Sequence, residues 1–371
     1  MSQRFRGSLR ELWWYFLRLG SGGFGGPIAL VGYMQRDLVE TRGWITPTQY
    51  SEGLTLAQLA PGPLAAQLAM YIGWLRGGIW GATLIGVAFV APSFLMVLAL
   101  SALYVRYGGL PWMQGAFYGI GAAVIAIIVR SAVKLVRLTL RRDRVLWAIF
   151  AVNAALVVAT QSEILWVFLA SGIAVLLVRE MPRLGLPGVA ADAGVLLTIL
   201  WFFIKAGVLV FGSGLAIVPF LYGGAVQDFR WLTERQFLDA VAVSMITPGP
   251  VVITVAFIGY LVAGLWGATL ASLGIFLPTW LAVVVTAPSF SRIVTNLRVR
   301  AFVDGVTAAA TGAIAGAAVV LGRRAIVDLP TAAIAATAVT LLLVFRNARE
   351  PLLIVAAGLA GMWLTQPNPL P

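Results

Sequence analysis

Two stretches of closely spaced glycines interrupt otherwise apolar segments of the chain. They lie at 20–27 (GSGGFGGP) and at 207–214 (GVLVFGSG). Glycine at this density breaks a helix. Because an unpaired amide facing lipid costs several kcal/mol, non-helical backbone inside a bilayer has to line a protein-packed or water-filled site. The two stretches therefore predict a binding pathway through a membrane.

A Pro-Gly-Pro sequence follows each glycine stretch, at 61–63 and at 248–250. Its prolines remove backbone donors and disfavour helical geometry, and its glycine permits a sharp turn. A helix that begins after such a break presents free N–H groups and the positive end of its dipole, which attract anions. The four breaks predict an anion site built from helix ends. The alternative is that the glycines only allow close helix packing.

The candidate anion-binding residues lie in these breaks or carry a hydroxyl, amide or cationic group near them. They are Arg18, Ser21, Gly22, Gly25, Gly26, Gln58, Pro61, Gly62, Gln67, Lys205, Gly212, Ser213, Gly214, Thr247 and Gly249. Arg18 and Lys205 each precede a glycine stretch by two residues and have apolar neighbours. Such cations either compensate a divalent anion or extend to the membrane interface.

Carboxylates are the candidates for proton coupling, because the chain has no histidine and no cysteine. Glu52 and Asp239 precede the two Pro-Gly-Pro sequences, where a carboxylate also simply favours the start of a helix. Asp304 is a third candidate, without an acidic counterpart in the first half. The missing residue types exclude disulfides and the usual transition-metal ligands. We therefore expect no metal site and no cofactor.

Composition indicates that the elements positioning these residues are membrane helices. Of 371 residues, 60% are hydrophobic and 11% charged, and the mean hydropathy is +0.94, which is too apolar for a soluble domain of this size. Runs of about 20 apolar residues can cross a bilayer. We predict segments near 12–34, 53–75, 78–104, 109–129, 145–160, 164–178, 196–222, 240–262, 264–287, 301–321, 331–345 and 351–364.

The second half of the chain repeats the first. An offset of 187 residues aligns 16–63 with 203–250 without a gap, including the glycine stretches and both Pro-Gly-Pro sequences. After one residue drops out, 80–84 (WGATL) meets 266–270 (WGATL) at an offset of 186. Such register predicts a duplication. We place the first repeat at 1–178, a polar linker at 179–192 and the second repeat at 193–371.

The predicted fold is an all-α integral membrane protein with about 10–12 transmembrane segments in two homologous repeats with broken or re-entrant helices. Basic clusters at 130–144 and 292–300 favour loops at an anionic cytoplasmic leaflet over nucleic-acid binding, despite a net charge of +12. If both clusters face the cytoplasm, an even number of crossings separates them and the repeats are inverted, as in many secondary transporters. A parallel arrangement is the alternative.

Several of these stretches resemble the chromate ion transporter family in its long two-domain form. They are 16–27 (FLRLGSGGFGGP), 57–73, 203–221, 231–260 and 302–306. The resemblance implies a multi-pass carrier in the bacterial inner (plasma) membrane that exports chromate and confers chromate resistance. Its partners would be the lipid bilayer and a small inorganic oxyanion, chromate or sulfate, with no nucleic acid; a homodimer is left open.

The residues alone lead only to a tetrahedral oxyanion. The expected mechanism is alternating access, with the anion bound between the interrupted helices and the repeats rocking about it. An importer or exchanger of sulfate or a related oxyanion and an anion channel are alternatives, since broken helices also build pores. A membrane-embedded enzyme would depend on carboxylates alone, and the sequence shows no paired-carboxylate motif. We expect no enzyme.

Overall fold

The computed structural model describes residues 7–24, 26–107, 110–140, 143–160, 167, 170–175, 194–212, 217–289, 296–345 and 350–365. The predicted linker 179–192 and most of the predicted segment 164–178 lie outside the described residues. In chain order the labelled helices are α1 (Leu9–Gly22), α2 (Gly26–Met34), α3 (Pro47–Leu59), α4 (Leu64–Tyr107), α5 (Pro111–Thr139), α6 (Arg144–Thr160), α7 (Val195–Leu209), α8 (Val218–Tyr222), α9 (Glu234–Ile246), α10 (Thr254–Thr286), α11 (Leu297–Ala325), α12 (Leu329–Val344) and α13 (Glu350–Thr365).

Short non-α elements complete the described structure. Strands β1 (Gly62–Pro63) and β2 (Phe211–Gly212) pair in parallel. The π-helical turns Gln35–Thr41 and Gly223–Asp228 follow α2 and α8. Among the described residues, four helical stretches are long and apolar enough to span a bilayer, namely Leu64–Tyr107, Pro111–Arg137, Val251–Ser289 and Leu297–Ala325. An all-α membrane protein is therefore confirmed.

The repeat seen in the sequence has a matching local structure at the start of α3 and α9. Thr46 caps α3 and Thr233 caps α9, each accepting a hydrogen bond from the backbone of the glutamine three residues later. The side chains of Gln49 and Gln236 return a bond to the capping residue, which completes a capping box. Both helices therefore begin at the same repeat position.

Helices α4 and α10 each reverse direction part of the way along. Gly78 has φ +57° and Gly264 has φ +58°, within otherwise helical backbone. In α4, Gly73 and Gly81 are in backbone contact, with no room for a Cβ on either. In a straight helix, eight residues would separate them by about 12 Å. The arms 64–76 and 79–107 of α4 therefore form a tight antiparallel hairpin, and α10 repeats this geometry.

The glycine stretches and the Pro-Gly-Pro sequences are also turns of helical hairpins. Tyr15 of α1 donates to Asp37, beyond the first glycine stretch (3.4 Å), and Phe202 packs against Trp231 across the second stretch, with ring centroids 5.6 Å apart. Tyr71 donates to Glu52 across residues 61–63 (3.4 Å). The prediction of broken and re-entrant helices is confirmed.

The hairpin across residues 248–250 is marked by Tyr104, which contacts both of its sides. Its hydroxyl donates to Asp239, and its ring packs against Phe257. The predicted segments 12–34, 53–75, 196–222 and 240–262 therefore fold back instead of crossing once. Length and apolarity do not distinguish the two cases, because the reversal depends on tertiary contacts.

The second arms of α4 and α10 run antiparallel. Trp280, late in α10, donates to Thr83, early in the second arm of α4 (3.0 Å), and Ala82 packs in one cluster with Val283 and Ala287. We call the membrane face at which α1 and α3 begin the first face, and the opposite one the second face. The second arm of α4 runs from the first face to the second face, so α10 runs the other way. The repeats are inverted.

A contact at the second face agrees with this inversion. Arg235, at the beginning of α9, donates to the carbonyl oxygen of Gln114, near the beginning of α5 (3.2 Å). Since α5 follows the second arm of α4, Gln114 lies at the second face. The hairpins of the second repeat therefore enter from the face opposite those of the first repeat.

Each repeat contributes helices to two bundles. The inner bundle contains the hairpins with α4 and α10, and the outer bundle contains α5, α6 and α11–α13. In the outer bundle, Gly119 of α5 lies against Ala357 of α13, and Gly312 of α11 lies against Phe150 of α6. Helices of the two repeats therefore interlock, so the repeats cannot move past each other as two rigid bodies.

The inversion can be tested by labelling, because the native chain contains no cysteine. Thr41 and Asp228 are exposed residues 187 positions apart, each ending a π-helical turn. We expect a membrane-impermeant maleimide to label Thr41→Cys from one side of sealed vesicles and Asp228→Cys only from the other. Labelling of both from the same side would contradict the inverted arrangement.

Candidate functional site

The turns of the hairpins meet inside the inner bundle. The Gly62 N–H donates to the Val210 carbonyl oxygen (2.5 Å), and the Gly249 N–H donates to the Gly23 carbonyl oxygen (3.0 Å). Positions 23 and 210 are repeat equivalents, and so are 62 and 249. One bond is therefore the pseudo-two-fold image of the other. Each Pro-Gly-Pro turn closes on the glycine stretch of the other repeat, and neither repeat forms this centre alone.

The central residues of the two Pro-Gly-Pro turns have to be glycine. Gly62 has φ +140° and Gly249 has φ +103°, a region that L side chains rarely adopt. A Cβ on Gly62 would also lie 2.7 Å from the Thr279 hydroxyl oxygen, and one on Gly249 would overlap the Ser93 hydroxyl. The backbone conformation and the close packing therefore both require glycine at positions 62 and 249.

Ser93 and Thr279 belong to this centre, and the sequence analysis missed both. Ser93 is buried and donates to the Pro248 carbonyl oxygen (2.7 Å). Thr279 is fully buried beside Gly62. Each follows a proline within a long helix, and the two prolines are repeat equivalents at an offset of 186. The sequence did contain a signal for these two residues, because both repeats have a hydroxyl side chain directly after a helix-breaking proline.

Gln67 lies in the first turn of α4 with its side chain fully buried. Its Nε2 donates to the carbonyl oxygens of Ala60 (2.9 Å) and Pro61 (2.7 Å). The carboxamide therefore fixes the chain entering the first Pro-Gly-Pro turn. Its Oε1 is buried and has no hydrogen-bond partner among the residues that the structure describes.

Three helices of nine or more residues begin at these turns. They are α2, α4 and, after the 3-10 turn Val251–Ile253, α10. The first N–H groups of a helix have no partner within it, and the dipole makes that end positive. At α10 the preceding 3-10 turn accepts the hydrogen bond of the Thr254 N–H, so the free donors belong to the beginnings of α2 and α4. Donors of this kind suit an anion.

The two cations lie beside the centre and not within its packed contacts. Arg18 is exposed on α1, on the side opposite the buried residues Leu12, Phe16 and Leu19. Lys205 is half-buried at the equivalent position of α7. Five residues separate Arg18 from Gly23, or about 8 Å along a helix axis. Both cations therefore lie on the helices that lead into the turns.

The remaining predicted anion ligands differ in burial. Ser21, Gly22 and Gln58 are exposed, and Ser21 donates to Leu17 of its own helix. Thr247 is buried and donates to Val243. Gly26 begins α2 and Gly212 ends β2. Gly25, Ser213 and Gly214 lie outside the described residues.

The three carboxylate candidates have different surroundings. Asp239 is 4% exposed and accepts a hydrogen bond from Tyr104 of the other repeat (2.6 Å). Glu52 is half-buried and bound by Tyr71 of its own repeat. Asp304 is exposed on α11 of the outer bundle. Of these three, Asp239 is the buried one, a difference that the sequence did not show.

Comparison with known proteins identifies a family. The family model described as chromate transporter matches residues 10–176 and 197–362. The chromate transport protein of Cupriavidus metallidurans is 56% identical over 96% of this chain and 93% of its own. A probable chromate transport protein of Synechococcus elongatus is 54% identical, covering 96% and 95%. The chromate transport protein of Pseudomonas aeruginosa is 32% identical over 97% of this chain and 93% of its own. No solved structure gives a significant match.

Replacing Gly249 by alanine should destabilise the protein, because the new Cβ meets Ser93 and the backbone strain alone costs about 1–3 kcal/mol. We expect a lower thermal unfolding midpoint in detergent, partly restored by adding Ser93→Ala. Gly121→Ala is the control, since a Cβ there meets nothing within 4 Å. Equal midpoints for the two glycine variants would show that the turn does not need Gly249.

Proposed function

Because this chain belongs to the chromate transporter family, we propose that it exports chromate from the bacterial cytoplasm across the inner membrane by alternating access. The family match covers both repeats, and the relatives at 56% and 54% identity are named as chromate transport proteins. The observation that carries the proposed site is the reciprocal closure of each Pro-Gly-Pro turn on the other repeat's glycine stretch.

The proposed anion site is the cluster of helix beginnings at these turns. Chromate is a tetrahedral oxyanion whose oxygens accept hydrogen bonds in several directions. The N–H groups at the start of α2 and α4 offer donors from different helices, in surroundings where water does not compete. Binding through backbone donors avoids placing fully charged side chains at the bilayer centre, where they are expensive.

Alternating access in this fold is a movement of one bundle against the other. The earlier expectation that the repeats rock about the anion does not suit repeats that interlock in both bundles. The inner bundle contains all the hairpin turns, so the bound anion travels with it. The outer bundle, held by the Gly119–Ala357 and Gly312–Phe150 contacts, supplies the static surface.

A polar contact joins the two bundles at the second face. Arg324 of α11 forms an ion pair with Glu234 of α9 and a hydrogen bond with Tyr222 of α8. The repeat equivalents of these residues at the first face are Leu138, Pro47 and Gln35, which cannot form an ion pair. This asymmetry favours a state that is closed at the second face and accessible from the first.

The distribution of basic residues supports an orientation with the first face at the cytoplasm. Among the described residues, those near the first face are Arg10, Arg36, Arg42, Arg76, Lys134, Arg137, Arg144 and Arg298, and those near the second face are Arg106, Arg230, Arg235, Arg323 and Arg324. Cytoplasmic loops carry the excess of basic residues. Arg323 and Arg324 then lie at the periplasmic face.

The membrane potential favours export. With about 100 mV, negative inside, moving a dianion outward gains about 5 kcal/mol, at about 2.3 kcal/mol per charge. An importer of sulfate would have to oppose the same field. Export therefore needs no further energy source to lower the cytoplasmic concentration of chromate.

The proposed function is tested with radiolabelled chromate and everted membrane vesicles, in which export appears as uptake. We expect saturable uptake driven by an imposed potential, absent from vesicles without the protein and abolished by Gly249→Trp. Uptake that stays proportional to concentration would indicate a channel. Transport of sulfate but not chromate would show that the substrate is sulfate and not chromate. Transport of neither anion would contradict the proposal.

The cations beside the turns should contribute to anion affinity. We expect Arg18→Gln and Lys205→Gln each to raise the KM for chromate twofold to tenfold, corresponding to about 0.4–1.4 kcal/mol of lost attraction. Arg10→Gln is the matched control, because it removes an equal charge from α1 two turns nearer the first face. If all three variants keep the native KM, Arg18 and Lys205 do not attract the anion.

A further inference from the structure

Two buried hydroxyl groups occupy equivalent places in the repeats but donate to different kinds of partner. Ser93 of α4 donates to the Pro248 carbonyl oxygen, in the Pro-Gly-Pro turn of the other repeat (2.7 Å). Thr279 of α10, its repeat equivalent, donates to the Ile275 carbonyl oxygen of its own helix (3.3 Å). Both side chains are fully buried. The pseudo-two-fold relation between the repeats is therefore broken at this pair of hydrogen bonds.

The positions of the two hydroxyls nevertheless follow the pseudo-two-fold relation. A Cβ on Gly249 would overlap the Ser93 hydroxyl, and a Cβ on Gly62 would lie 2.7 Å from the Thr279 hydroxyl oxygen. Each hydroxyl therefore lies beside the Pro-Gly-Pro turn of the opposite repeat. The repeats differ in the partner that the hydroxyl chooses and not in where it is placed.

The Pro61 carbonyl oxygen is the repeat equivalent of the Pro248 carbonyl oxygen. In the described state it accepts a hydrogen bond from the Gln67 Nε2 of its own repeat (2.7 Å). A carbonyl oxygen has two lone pairs, so it can accept a second bond. Since Thr279 lies beside this turn, it is placed to donate to Pro61, in the image of the bond that Ser93 makes.

The helices that carry the two hydroxyls are deformable at these points. Pro92 lies within α4 and Pro278 within α10, each directly before the hydroxyl residue. A proline has no N–H, so the carbonyl group four residues earlier loses its helical partner. Kinks in helices occur mostly at such positions. A change of bend in either helix therefore moves its hydroxyl relative to the turn.

We propose that Ser93 and Thr279 are positioning residues whose hydrogen bonds alternate during transport. In the described state, which is closed at the second face, Ser93 holds the turn of the second repeat. In the state open at that face, Thr279 donates to Pro61 and Ser93 returns to the Phe89 carbonyl oxygen of its own helix. A two-fold rotation exchanges the access states of inverted repeats, so contacts specific to one state exchange as well. The inference rests on the proposed alternating access and assigns residues that stabilise each state.

The access state can be followed at Leu321→Cys, because the native chain contains no cysteine. Leu321 of α11 is 1% exposed and lies beside Tyr222 of α8, where the two bundles meet near the second face. A membrane-impermeant maleimide is added to sealed vesicles on the side from which Asp228→Cys is labelled. It reaches position 321 only when that face opens, so the initial labelling rate reports the population of the open state.

Removing the two hydroxyls one at a time should change this rate in opposite directions. We expect Ser93→Ala to raise it and Thr279→Val to lower it, each roughly twofold to tenfold, which is the effect of one hydrogen bond. The proposal is overturned if both variants change the rate in the same direction, or if either one labels at the native rate. An unchanged rate in Thr279→Val would show that Gln67 alone holds the first turn in both states.

Two further variants separate the hydrogen bonds from packing. Ser101→Ala is the control for Ser93→Ala, because Ser101 is buried in the same helix and donates to the Val97 carbonyl oxygen of that helix. It should label at the native rate. Thr279→Ser restores the hydroxyl without the methyl group and should bring the rate back toward the native value. A rate in Thr279→Ser equal to that in Thr279→Val would assign the effect to packing and overturn the proposal.

The labelling experiment is independent of the substrate, because it contains no chromate. Chromate uptake by the native protein, measured in parallel, tests the proposed function separately. Opposite changes in labelling without chromate uptake would support the alternating hydrogen bonds and contradict chromate export. Chromate uptake without opposite changes would support export and overturn the roles of Ser93 and Thr279.

Discussion

Non-helical backbone inside a bilayer has to find its hydrogen-bond partners within the protein, and the arrangement of the inner bundle follows from this requirement. The Pro-Gly-Pro turns place the amides of Gly62 and Gly249 far from water. Their partners are carbonyl oxygens of the opposite repeat, at Val210 and Gly23. The interlocking of the repeats is thus a consequence of satisfying turns that neither repeat can satisfy alone.

The same requirement accounts for the proposed binding site. Reciprocal bonds satisfy one amide in each turn, while the helices that begin there retain N–H groups without intrahelical partners. In the proposed site, an anion would complete this hydrogen bonding at the positive ends of the dipoles. Sequence, fold and the proposed function are connected here by the backbone donors that the turns leave without intrahelical partners.

The sequence predicted the repeat and its breaks because those depend on local residue types. The capping residues Thr46 and Thr233 recur at one offset, and so do the glycines of both turns. Whether a segment such as 12–34 crosses the membrane or folds back is not decided by its own residue types. It depends on contacts such as Tyr15 with Asp37, between residues that are far apart along the chain. Ser93 escaped prediction for the same reason, since its partner Pro248 is in the other repeat.

Differences between the repeats make the two access states of the protein unequal in free energy. Two identical inverted repeats would make the states open to either face equal in free energy, because a two-fold rotation would exchange them. Arg324 and Glu234 break this equality, since Pro47, the repeat equivalent of Glu234 at the first face, cannot form an ion pair. Both side chains are partly exposed, so the contact contributes about 1 kcal/mol at most. A contact of that size favours the state closed at the second face by at most about fivefold, and in the proposed orientation this state is open to the cytoplasm.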